Sequence, residues 1–127
     1  IEVFETPGHT EGSLCFLSRS DRIMFSGDTF NPLMLMFLAH ATSIEEYRET
    51  QEKLLKIDGY DVFWPSHLSA PLTREDGAGI MKTADKILKQ KHNFFLPSIF
   101  IKTVDKRSII YRPDHVRRKK KEKQKQG

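Results

Sequence analysis

Apolar and polar positions along the chain follow two periods, and the changes between them mark the elements. Residues 1–7, IEVFETP, set Ile1, Val3 and, loosely, Glu5 against Glu2 and Phe4. A period of two predicts a strand, stopped here by Pro7-Gly8. SLCFLS (13–18) and RIMFS (22–26) are two further short apolar runs around the polar turn RSDR (19–22), which predicts a hairpin. The period then lengthens. In residues 42–61, TSIEEYRETQEKLLKIDGYD, Ile44, Tyr47, Leu54 and Leu55 keep helical spacing, with Gln51 interrupting the stripe. Ser43 with Glu46 three positions on has the form of a capping box, and Asp58-Gly59 supplies a stop. YDVFWPS (60–66) returns to a short apolar strand ended by Pro65. Residues 72–91 predict a second helix, capped by Thr73 and Asp76, with Ile80, Met81, Ala84, Ile87 and Leu88 as its buried stripe. Gly77 and Gly79 weaken its first turn by roughly 1 kcal/mol each relative to Ala. IFIKTV (99–104) and SIIYR (108–112) predict a closing strand pair.

This order gives an α/β (α+β) class, with helices covering one face of a sheet. The run LMLMFLA (33–39) is the longest apolar stretch. Seven residues are too few for a membrane span, which takes about 20. The run is expected as a helix or loop packed on the core; its methionines and phenylalanine also suit an adaptable apolar pocket or a subunit contact.

Charge divides the chain. Residues 112–127 carry eight Lys or Arg against two acids, so the body before them is net −2 within a chain of +4. Residues 1–111 are therefore read as one domain and 112–127 as a basic tail too poor in apolar residues to order itself. Such a tail can neutralise phosphates, but no aromatic side chain is interleaved to stack on bases, which argues against a nucleic-acid partner. The single cysteine, Cys15, excludes an internal disulfide and reads as a small buried hydrophobe in a reducing, cytoplasmic setting. The chain opens on Ile1, directly in a strand, and reads as a piece of something longer.

Three polar residues share one situation. His9 follows Pro7-Gly8 after the first strand, Asp28 follows Gly27 after the third, and His67 follows Pro65-Ser66 after the fourth. Strands lying side by side with compatible directions would gather these turns at one rim, where function tends to sit. Two imidazoles and a carboxylate suit zinc, and also iron or manganese. Taken singly, each histidine is more often a turn or core residue than a ligand.

The flanking motifs change that weighing. TPGHTEGSLCFL, FSGDTF and WPSHLSAPLT, in that order with a helix between the last two, resemble the C-terminal half of the metallo-β-lactamase superfamily, in the style of its glyoxalase II-like hydrolases. The resemblance covers roughly residues 2–72. It implies the second half of a four-layer αββα sandwich, incomplete without an N-terminal half. It also implies a two-metal site, with His9 a ligand of one metal, Asp28 the bridge and His67 a ligand of the other. Thr10 and Ser13 would either steady the ligand turn or satisfy its backbone. The remaining ligands would come from a His-x-His-x-Asp-His motif. None of the five histidines (His9, His40, His67, His92, His115) falls in such a cluster. Ser66 and Leu68 stand where glycines are usual, which alters the rim of the pocket.

The function implied is that of a zinc-dependent hydrolase using a metal-bound hydroxide on an ester, thioester, amide or phosphodiester of a small molecule. Its present chain is incomplete for catalysis, and no residue is assigned as a catalytic nucleophile. Two rivals stand beside it: an iron-dependent oxidoreductase of the same fold, and a truncated domain kept for binding. The partner expected is the missing N-terminal half or a second copy of the chain, with no membrane. Phe4, Phe16 and Phe25 are expected on the sheet face that such a partner would cover.

Overall fold

The computed structural model describes residues 1–37, 40–66, 70–90 and 99–117. Two sheets and two helices make up this part. The first sheet has the order β1 (Glu2–Glu5), β2 (Leu14–Ser18), β3 (Ile23–Gly27), β5 (Val62–Pro65) and β6 (Leu72–Thr73). The second has β4 (Leu33–Met36), β8 (Arg107–Tyr111) and β7 (Phe100–Val104). Helix α1 (Ile44–Leu55) follows β4 and helix α2 (Arg74–Lys89) follows β6, and no helix among the described residues is long and apolar enough to cross a membrane.

Direction follows from pairing. β1 is antiparallel to β2 and β2 to β3, so β1 and β3 run the same way; β3 is parallel to β5. The carboxyl ends of β1, β3 and β5 therefore meet one rim. The hairpin between β2 and β3 and the start of β5 lie at the other, tied by Arg19 with Glu2 and by Arg22 with Asp61 at 2.7 Å.

The side chains of the first sheet alternate as a pleat requires. Cys15, Leu17, Met24 and Phe63 are fully buried and form one core with Ile44, Tyr47 and Leu54 of α1 and Ile80, Ala84 and Ile87 of α2. The other face carries a cross-strand row, Val3 opposite Phe16, Phe16 opposite Phe25 and Phe25 opposite Trp64. These four are 56, 39, 38 and 40% exposed. Phe4 does not belong to that face. It pairs with Cys15 and packs half-buried against the core, because the register sets Val3, not Phe4, beside Phe16.

Both helices begin as expected. Ser43 Oγ accepts from Glu46 N, and Thr73 with Asp76 forms a full capping box. Gln51 does not interrupt the buried stripe of α1; it is itself fully buried and donates to Tyr47 Oη at 3.0 Å. In α2 the missing side chain of Gly77 admits Leu55 and Phe63, each of which a Cβ there would meet at 3.2 Å. Its propensity cost is thus offset by close packing between helices and sheet.

Two expectations are corrected here. The apolar run after Asp28 is neither helix nor loop at residues 33–36; it is strand β4, parallel to β8 with Leu33 opposite Ser108 and Met36 opposite Tyr111. The packed chain also extends beyond residue 111. A short 3-10 turn, Pro113–His115, leads to Val116, which is buried and whose carbonyl accepts from Glu45 N at 3.0 Å. Arg117 then donates to Leu88 O at 2.6 Å. An apolar valine inside the basic run supplies the anchor that net charge concealed. Residues 118–127 lie outside the described ones.

Candidate metal centre

The rim lies at the ends of β1, β3 and β5, and the described residues give it two turns. In the first, Pro7-Gly8 leads to His9. Thr10 and Ser13 close the turn on each other, with their hydroxyls 2.8 Å apart and Ser13 Oγ accepting from Thr10 N at 3.3 Å. These bonds satisfy turn backbone and hydroxyls rather than the imidazole. The imidazole is held from elsewhere: His9 Nδ1 lies 2.8 Å from Leu35 O on β4. A carbonyl oxygen only accepts, so Nδ1 carries a proton, and Nε2 is the ring nitrogen left to face a metal. A metal ligand fixed through its other ring nitrogen takes this form.

In the second turn Gly27 has φ +52, a left-handed conformation that costs a residue with a side chain about 1–2 kcal/mol. It lets the backbone leave β3 sharply and deliver Asp28. Thr29, next along, is buried and meets Thr6 of the first turn hydroxyl to hydroxyl at 3.0 Å. At the end of β5, Ser66 N donates to Gly27 O at 3.0 Å. The residue before His67 is thus bonded to the residue before Asp28. His67 itself lies outside the described residues, as does His92.

His9 and Asp28 line one pocket of about 390 Å³, with Asn31, Pro32, Leu33, Met34 and Leu35 as its other walls. Spacing in the sequence brought His9 and Asp28 forward. It did not bring forward Asn31 or the Leu35 carbonyl. Asn31-Pro32 following Asp28 is a signal for a turn that carries the wall into β4; a backbone carbonyl leaves no signal in a sequence. His40 is exposed, and its carbonyl accepts from Glu11 N at 3.0 Å, which ties the His9 turn to the segment before α1.

The donor set fits zinc as part of a site rather than a whole one. An imidazole and a carboxylate share the pocket, and both are donor types that zinc takes. No group of three His, Cys, Asp or Glu residues placed to hold a metal occurs among the described residues.

No family model matches the chain. A hydroxyacylglutathione hydrolase of Francisella tularensis subsp. novicida (strain U112) is 35% identical over 68 residues, covering 53% of this chain and 27% of that protein. An uncharacterized protein of Mycobacterium leprae (strain TN) is 36% identical over 70 residues, covering 53% of this chain and 32% of its own length. The crystal structure of a metallo-beta-lactamase family protein from Thermus thermophilus superposes with a TM-score of 0.56 at 19% identity, over 69% of this chain and 31% of that one. The matched region thus amounts to only about a quarter to a third of each relative's length.

Proposed function

Because the chain belongs to the metallo-β-lactamase superfamily, we propose that it supplies part of the metal centre of a metal-dependent hydrolase acting on a small molecule. The observation that carries this reading is the rim. Strands β1, β3 and β5 end together, and two of their turns present His9 and Asp28 to one pocket. On this reading His9, through Nε2, and Asp28 would hold the metal pair together with His67. Zinc, when bound, supplies Lewis-acid activation of water and of the scissile carbonyl or phosphoryl group. The chain's own residues do the rest. Leu35 O holds the imidazole tautomer, Gly27 aims the Asp28 turn, and Pro32, Leu33 and Leu35 wall the pocket with apolar surface. That wall favours an uncharged apolar group on the substrate beside the reacting bond.

Two or three donors do not complete a two-metal site, so the remaining ligands come from a complementary segment that also covers Val3, Phe16, Phe25 and Trp64. The named hydrolases among the relatives support a hydrolytic reaction. The test uses the full-length protein that carries this chain. Metal content is measured by elemental analysis, and turnover is measured on a panel of thioesters, esters and phosphodiesters. Wild type is expected to hold zinc and to turn over at least one class. His9→Ala and Asp28→Asn are expected to lose metal and at least 100-fold in rate, since both touch the metal itself. A full-length protein that holds iron and turns over none of these, or one that retains its metal in both variants, refutes the proposal.

A further inference from the structure

Resting on the metal-site reading above, we propose that Tyr47 is a positioning residue, whose ring and hydroxyl fix the spacing between the His9 turn and the Asp28 turn. Tyr47 sits one turn into α1 and is fully buried. Its ring packs closely against Gly8, the residue before His9. A methyl group on Gly8 would collide with ring atom Cδ1 and come within 3.1 Å of Cε1. Its hydroxyl donates to the carbonyl of Thr29, the residue after Asp28, at 3.0 Å. One side chain therefore touches both turns that present the candidate ligands.

The hydroxyl is what separates this from ordinary core packing. A phenylalanine would fill the same ring volume without burying a polar group, and a buried hydroxyl costs free energy unless it is bonded. Here it is bonded twice. It donates to Thr29 O and accepts from Gln51 Nε2 at 3.0 Å, so its direction is set from α1 as well. The base of the helix is docked to the same turn, with Thr42 N donating to Gly8 O at 2.8 Å and Thr50 Oγ1 donating to Pro7 O at 2.6 Å. A second strut runs in parallel, the hydroxyl contact of Thr6 with Thr29 at 3.0 Å. Metal ligands tolerate little displacement, and groups that orient them from behind change affinity by about 10- to 100-fold when removed.

The experiment compares full-length wild type with Tyr47→Phe, Thr6→Val and the double variant. Zinc affinity is read by chelator competition, site geometry by the visible spectrum of the cobalt(II)-loaded protein, and the fold by circular dichroism and thermal unfolding. Tyr47→Phe is expected to keep its circular dichroism spectrum and a single unfolding transition. It is expected to bind zinc about 10- to 100-fold more weakly and to shift the cobalt bands. Thr6→Val should move both readouts the same way by less, and the double variant by more. A Tyr47→Phe protein with a lowered melting temperature but wild-type zinc affinity and cobalt spectrum overturns the assignment, because a purely structural role would leave those two unmoved. If Tyr47→Phe does not fold, Thr6→Val decides, and wild-type metal readouts there overturn it. Wild type that takes up neither zinc nor cobalt, or His9→Ala and Asp28→Asn proteins that bind as wild type does, sinks the metal-site reading together with this one. Wild type that binds while Tyr47→Phe is unaffected sinks only the role of Tyr47.

Discussion

The thiol of Cys15 faces the core, 3.5 Å from Thr6 Oγ1 and among residues that exclude water. Burial pushes its pKa up, against the weaker opposing pull of the Thr6 and Thr29 hydroxyls. The thiolate is the reactive form, so the native protein should resist thiol reagents. Modification by a disulfide reagent is expected only when denaturant opens the fold; rapid labelling of the native state would contradict the burial. Gly27 makes the opposite kind of demand. At φ +52 an added methyl group is strained although space is open, its nearest neighbour being Ser66 Oγ at 3.6 Å. Gly27→Ala is expected to cost about 1–2 kcal/mol in urea unfolding. A stability equal to wild type would show that this backbone relaxes without penalty.

Among the elements, the helices were legible in the sequence and β4 was not. Ser43 with Glu46, and Thr73 with Asp76, act over three residues, so the caps can be read from local order. The partner of β4 is β8, with Leu33 opposite Ser108. A run of apolar residues with no visible alternation does not say which remote strand it will meet, and so it reads equally as helix, loop or strand. The face of Phe4 was missed for a related reason. Alternation within one strand assigns two faces but not their register against the next strand. His9 and Asp28 were legible because each follows a glycine at a strand end. Tyr47 was visible only as one step of an apolar stripe; that its hydroxyl reaches Thr29 depends on the fold.

Asp76 shows how much one cap holds at this scale. Its carboxylate accepts from Thr73 N at 2.9 Å and pairs with Arg107 of β8 at 2.8 Å, so it joins α2 to the second sheet. Burial alone would raise its pKa, but the Thr73 and Arg107 contacts outweigh burial and hold it below the ordinary 3.8. A carboxylate depressed in the folded state stabilises fully above its unfolded pKa and loses that contribution as pH falls through the folded value. Asp76→Ala should therefore cost about 1–2 kcal/mol near neutral pH. The gap from wild type should shrink as pH falls below about 4. A gap independent of pH would place the effect in something other than the ionised carboxylate.

For the whole molecule, the row of Val3, Phe16, Phe25 and Trp64 sets the behaviour. Leaving a few hundred Å² of apolar surface in water costs several kcal/mol at about 25 cal/mol per Å². Residues 1–127 expressed alone are expected to self-associate or precipitate. Adding the complementary segment of the full-length protein should restore a single species and shift Trp64 emission to the blue as its ring leaves water. A monodisperse monomer whose tryptophan emission is unchanged by that segment would show that the row needs no cover.

The pairing of β4 with β8 has a consequence in time. The pocket beside His9 and Asp28 takes one wall from β4, and β4 gains its neighbour only at residues 107–111. A chain made from its amino end thus carries both candidate donors long before the wall beside them has a partner. Pairing strands so far apart in sequence is slow, because a long loop must close before any bond rewards it. During synthesis the pocket wall gains its partner only once β8 has been made, and a nascent chain stopped near residue 98 should present His9 without the Leu35 carbonyl that orients it.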